Sequence, residues 1–302
     1  MSRLTFQNLT WVNLVRPTPA QLIELQKEYQ FHELDIEDCL SEHERPKIDE
    51  YENYLFIVLH IPYFSQETGR ILKEEVNIFI GNNYLITLHD GHLDVLNALW
   101  QKCAENELEK KQRMGEGAGF FLYELTSLFF GSCFPLIDNI NRQLRVLEGT
   151  IFEHEGERVL RLILELKRSI ISLRRILLPQ RTIIADLEHK SKKFVPEELD
   201  VYFDDVQDAI ERQWAVLETA KEVIEAFHGS HDSWIRSKTD RIIRILTILS
   251  VTMLPLSVIT GLFGMNVPIP YAEYPLAFWT ITFSLVGFLI ASFAYFVWQK
   301  WL

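Results

Sequence analysis

The chain changes character at Ile245. Upstream, charged residues are interleaved with apolar ones throughout, but from Ile245 to Ala272 and from Tyr274 to Gln299 there is no charged residue. Each run is about 25 residues long, and about 20 helical residues cross a bilayer core. The pattern predicts two transmembrane helices, about Ile245–Phe263 and about Pro275–Trp298, joined as a hairpin. Arg236, Lys238, Arg241 and Arg244 precede the first span and Lys300 follows the second, whereas the loop between holds one acid, Glu273, and no base. The positive-inside rule therefore places both termini in the cytoplasm. Trp279, Trp298 and Trp301 stand at the expected interfaces, as aromatic belts do.

The upstream region reads as two parts. Between Pro196 and Ile245 there is no further proline and only Gly229, and Val201, Val206, Ile210, Trp214, Leu217, Val223 and Ile224 recur at helical spacing. At about 1.5 Å per residue this predicts a stalk of roughly 70 Å. Arg158–Glu188 predicts a second long helix, whose basic face (Arg161, Lys167, Arg168, Arg174, Arg175 and Arg181) reads as solvated. Glu148, Glu153, Glu155 and Glu157 mark an acidic turn before it. Residues 1–110 alternate in the manner of a mixed domain. Strands are predicted at Leu9–Val15, Tyr54–Ile61, Glu75–Ile80 and Tyr84–His89, with Gly81-Asn82-Asn83 as a hairpin turn. Helices are predicted at Pro19–Tyr29, Glu33–Leu40 and Leu93–Glu107. The organisation is an α+β cytoplasmic domain (1–110), long helices and stalk (111–244) and a two-helix transmembrane region (245–302).

Composition narrows the chemistry. The 42 acidic against 30 basic residues give a formal net charge of -12, which disfavours nucleic acid as a partner. Cys39, Cys103 and Cys133 are far apart and form no CxxC pair, so neither a disulfide framework nor a thiolate zinc site is expected. There is no HExxH or GxSxG motif, and the chain does not read as an enzyme. Met1–Val15 lacks the apolar core of a signal peptide. Gly115–Gly119 loosely resembles a phosphate loop but does not follow a strand. His89-Asp90-Gly91-His92 carries metal-ligating groups but sits where a turn falls, and reads as a turn. His228 and His231 lie on the stalk, where packing or solvent exposure accounts for them.

A two-helix hairpin cannot enclose a pore, so transport requires several copies with one helix from each around the axis. The first span has a small and polar face at helical spacing: Asp240, Ile243, Thr247, Ser250, Leu254, Ser257 and Gly261. The second is bulkier, with Phe278, Phe283, Phe288, Phe293 and Phe296. Periodicity alone leaves two readings of the small face open, a pore lining and a helix-packing surface.

Gly264-Met265-Asn266 ends the first span. Together with Leu254-Pro255-Leu256-Ser257, Gly261, Phe263, Leu34–Asp38, Arg45-Pro46-Lys47, Phe134–Asp138 and Tyr202–Val206, it resembles the CorA family of magnesium and cobalt transport channels over nearly the whole chain. The resemblance implies a funnel-shaped homopentamer in the cell (plasma or inner) membrane. Its first span lines the pore, and Gly264, Met265 and Asn266 form an outer filter for hydrated Mg²⁺. Mg²⁺ dehydrates reluctantly and prefers oxygen ligands, so a ring of amide oxygens suits it. The resemblance also makes Leu246 and Leu254 apolar constrictions. It makes Mg²⁺ both cargo and regulatory ligand, held at Asp205 and Asp208 on the stalk by a domain partner left unidentified. Co²⁺ and Ni²⁺ are further permeants. The sequence departs from the family pattern at Phe263, where tyrosine is usual, at Leu254 and Ser257, and at Asp240, where asparagine is frequent. Two alternatives stay open: a ZntB-type Zn²⁺ transporter, with or without proton coupling, and a membrane-anchored scaffold or regulatory protein.

Overall fold

The structure, a computed structural model, describes residues 2–41, 44–150, 157–190, 192–266 and 275–299. It divides into two compact units, Met1–His228 and Gly229–Leu302.

The first unit is built on one six-stranded sheet. Its strands are β1 (Ser2–Phe6), β2 (Leu9–Val15), β3 (Lys47–Glu50), β4 (Leu55–Ser65), β5 (Arg70–Ile80) and β6 (Tyr84–His89), in the order β1-β2-β6-β5-β4-β3. Only β2 and β6 run parallel, with Trp11 opposite Leu85. The others pair antiparallel, including the β5–β6 hairpin in which Val76 faces His89. Gly81 closes that hairpin, its N–H donating to the Tyr84 carbonyl at 3.0 Å. The sheet alternates as a doubly covered sheet must. Trp11, Leu55, Ile57, Leu59, Ile78 and Leu85 point into one core, while Val12, Leu14, Phe56, Val58, Phe79 and Ile86 point into the other.

Two short helices cover the second face, α1 (Pro19–Tyr29) and α2 (Glu33–Leu40). Helix α1 starts at a reciprocal cap: Thr18 N donates to Gln21 Oε1 at 2.9 Å and Gln21 N to Thr18 Oγ1 at 3.4 Å, with Pro19 in the first turn. The helical layer covers the first face: α3 (Asp94–Glu105), α4 (Glu107–Met114), α5 (Ala118–Gly131), α6 (Phe134–Thr150), α7 (Glu157–Lys190) and the start of α8 (Asp200–Phe263). One continuous core runs from Leu9 in the sheet to Ile224 on α8. The single helix predicted at Leu93–Glu107 is broken at Asn106. That residue leaves the helical region and caps α4, its Oδ1 accepting from Leu108 N at 2.9 Å.

The second unit holds the rest of α8 and a final helix, α9 (Pro275–Trp298), whose bounds match the predicted second span. Ala118–Gly149 is also long and apolar enough to cross a membrane, but 44% of its most apolar window is buried, against 0% in α8 and 6% in α9. Phe121, Phe129 and Phe130 carry that burial. Hence α5–α6 is a core helix pair, whereas α8 and α9 carry exposed apolar surface long enough to cross a membrane.

Candidate functional site

The membrane part of α8 has two faces. Between Ile245 and Phe263 the half-buried positions are Ile248, Thr252, Pro255 and Leu256, which fall on one stripe. On α9 the covered positions, Ile281, Thr282, Leu285, Ser292 and Phe296, also fall on one stripe. With about 100° of rotation per residue, Ile243, Leu246, Thr247, Ser250, Leu254, Ser257 and Gly261 centre roughly opposite the covered stripe of α8. Their exposure is high, 57% at Ile243, 61% at Leu246 and 65% at Leu254. Asp240 lies one turn ahead of this face and is exposed. Thr247 and Thr260 donate their hydroxyls back to the Ile243 and Leu256 carbonyls at 2.8 Å, so neither leaves an unpaired donor. On α9, Phe278, Phe283, Phe288 and Phe293 are exposed as a lipid-facing surface would be, but Phe296 is buried.

Helix α8 ends where the tripeptide begins. Gly264 N still donates to the Thr260 carbonyl at 2.9 Å, and Met265 N reaches Leu262 O at 3.4 Å in a tightened last turn. Met265 and Asn266 are exposed. The loop 267–274 lies outside the described residues.

Upstream on α8, Asp205 and Asp208 are exposed one turn apart on the same side. In the sheet domain, two runs that carried the resemblance meet. Lys47 Nζ donates to Asp38 Oδ2 at 2.6 Å and lies 2.7 Å from Asp49 Oδ2. Asp35, buried, accepts from Tyr51 at 2.9 Å and from Tyr54 at 2.6 Å. Three aspartates, 35, 38 and 49, thus converge closely enough to hold a cation, and Lys47 with the two tyrosines already satisfies them.

Several of the remaining candidate residues have structural partners of their own. The Gly115–Gly119 stretch forms the α4–α5 junction: Gly117 takes φ +99°, and a Cβ on Gly119 would stand 2.6 Å from the Phe194 carbonyl. It serves close packing rather than phosphate. The basic face of α7 is not simply solvated, because Arg174 pairs with Glu218 and Arg181 with Glu211 on α8. His231 is buried, and neither ring nitrogen has a hydrogen-bond partner among the described residues. Glu148 is exposed near the end of α6; Glu153, Glu155 and the side chain of Glu157 lie outside the described residues. His89-Asp90-Gly91-His92 does form a turn, but His92 also meets Glu74 of β5, a partner missed by sequence reasoning. The β5–β6 register supplies that contact, placing Glu74 one same-face step beyond the Val76–His89 pair.

A sheet domain followed by a long helix that continues as an exposed apolar stretch, with a second exposed apolar helix after it, is the arrangement of a membrane protein with a large N-terminal domain. The chain belongs to the CorA-like Mg²⁺ transporter family, whose model matches residues 6–300. It is 25% identical to the cobalt/magnesium transport protein CorA of Thermotoga maritima, over 97% of this chain and 83% of that one. It is equally 25% identical to the CorA protein of Methanocaldococcus jannaschii, over 98% and 92%. The solved complete structure of the Methanocaldococcus jannaschii CorA magnesium transporter shares the fold with a TM-score of 0.83 at 23% identity, covering 100% of this chain and 95% of that one. The family is one of membrane transporters of magnesium and cobalt.

Proposed function

We propose that this chain forms a homopentameric channel that passes Mg²⁺, with Co²⁺ and Ni²⁺ as further permeants. The α8 face running from Asp240 to Gly261 lines the path, and Gly264, Met265 and Asn266 form its outer filter. Leu246 and Leu254 close it by dewetting when the copies approach. The observation that carries this reading is the opposition of the two α8 faces: the small and polar side lies away from the covered stripe. In a lone hairpin that side has nothing to pack on, and copies around an axis give it a partner.

Residues 1–110 and 111–244 act as the cytoplasmic part and 245–302 as the membrane part, with both termini inside, as the bases ahead of the first span require. Asp205 and Asp208 hold cytoplasmic Mg²⁺ against a neighbouring copy in the closed state. Differential affinity for that state is what lets an ion act as a gate.

The test is flux into proteoliposomes, comparing Mg²⁺, Co²⁺ and Zn²⁺ with the proton gradient imposed or collapsed. Voltage-driven Mg²⁺ flux that Asn266→Ala abolishes supports the channel. Zn²⁺ flux that needs the proton gradient supports a ZntB-type transporter instead, and no flux of any ion supports an anchor.

A further inference from the structure

We propose that Glu74, Asp90 and His92 form a binding site for a first-row transition cation such as Zn²⁺ or Co²⁺, at the end of the sheet and separate from any Mg²⁺ site. One ligating atom from each lies within 4.8 Å of the others. The site is built around a buried carboxylate. Glu74 is 1% exposed, and its Oε1 accepts from Gly91 N at 2.8 Å and from His92 N at 3.2 Å. Its Oε2 meets His92 Nδ1 at 2.6 Å. The His92 ring is held flat against Tyr63, with centroids 4.9 Å apart and planes within 8°. Asp90 and His92 are exposed, so an ion reaches the site without unfolding anything.

The donor set decides the class of ion. Mg²⁺ prefers oxygen and water, whereas imidazole with two carboxylates suits Zn²⁺, Co²⁺ and their neighbours. Three protein ligands leave a position for water. His89 is not a fourth ligand, because its Nδ1 accepts from Gly91 N at 3.1 Å and its Nε2 lies 3.0 Å from Asn13 Oδ1. Arg16 Nε donates to the Asp90 backbone carbonyl at 3.1 Å.

The inference stands whether or not ions pass along α8, and its test needs no flux. The full chain in detergent is dialysed against Zn²⁺ in excess Mg²⁺, and the zinc environment is read by X-ray absorption. The expected result is one Mg²⁺-resistant Zn²⁺ per chain with a histidine nitrogen in its shell. His92→Gln and Asp90→Asn should each weaken binding at least about tenfold, while His228→Gln leaves it unchanged. Both exposed substitutions spare the Glu74 anchor, and circular dichroism confirms folding. Wild-type retention of Zn²⁺ by both variants, or no Mg²⁺-resistant Zn²⁺ in the wild type, would overturn the proposal and leave His92 as a clasp on the turn.

Discussion

Arg181 of α7 grips Glu211 of α8 with two parallel hydrogen bonds, Nε to Oε1 and Nη2 to Oε2, both 2.7 Å. The same guanidinium lies 5.4 Å from the ring of Trp214, and Arg174 lies 5.0 Å from it. Planar, two-pronged recognition combined with ring contact is a use of arginine that lysine cannot copy. Arg181→Ala should destabilise the chain by about 1–2 kcal/mol, the sum of a half-exposed charged pair and a cation–π contact. Arg181→Lys should recover less than half of it. Thermal unfolding of the solubilised chain checks both, and equal stability of all three proteins would show that the α7–α8 clasp contributes nothing.

Asp35 gives a pH dependence with a definite sign. Burial raises its carboxyl above the ordinary aspartate range, against the downward pull of hydrogen bonds from Tyr54 and Tyr51. The folded state therefore holds this proton more tightly than the unfolded chain does. The resulting stabilisation is complete below the ordinary aspartate range and is lost as pH rises through the elevated value. Asp35→Asn, neutral at every pH, should flatten the stability profile above about pH 4. Parallel profiles for wild type and variant between about pH 4 and 7, measured by denaturant unfolding, would contradict this.

Gly119 tests the packing of the α4–α5 junction. An added Cβ would stand 2.6 Å from the Phe194 carbonyl and 3.0 Å from a Leu199 methyl. Backbone must move to admit it, so Gly119→Ala should cost about 1–3 kcal/mol in spite of the better helix propensity of alanine. Gly131→Ala, on the same helix with open space around it, should be neutral or stabilising. The pair is compared by chemical unfolding, and equal effects would exclude the close approach as the cause.

Legibility followed physical necessity. The bilayer requires long uncharged helices, so α9 and the end of α8 could be read directly. Strands β2 and β6 are short, largely apolar runs buried on both faces, and their predicted bounds match the observed ones. Strand β3 reads Lys-Ile-Asp-Glu, an edge strand whose charges suit an unpaired flank and hide its period; β1 is likewise a largely exposed edge. The ion pairs of the α7 basic face were illegible because their acids lie 30 and 44 residues away on α8. Glu74 could not be joined to His92 without the register of β5 on β6. The small face of α8 was legible as a face, but its opposition to the covered stripe emerges only once α8 and α9 are folded.

The central claim is that this face of α8 lines the ion path. It is tested by placing single cysteines at Ser257, on the proposed lumen, and at Thr252, on the covered stripe. A water-soluble thiol reagent is then applied while Mg²⁺ flux is followed in proteoliposomes. The native chain gives a low background. Cys103 and Cys133 are buried, and burial raises the Cys39 thiol well above its ordinary value, which suppresses the reactive thiolate. The account predicts block of flux in Ser257→Cys and none in Thr252→Cys or the wild type. Block confined to Thr252→Cys, or equal block at both positions, would contradict it.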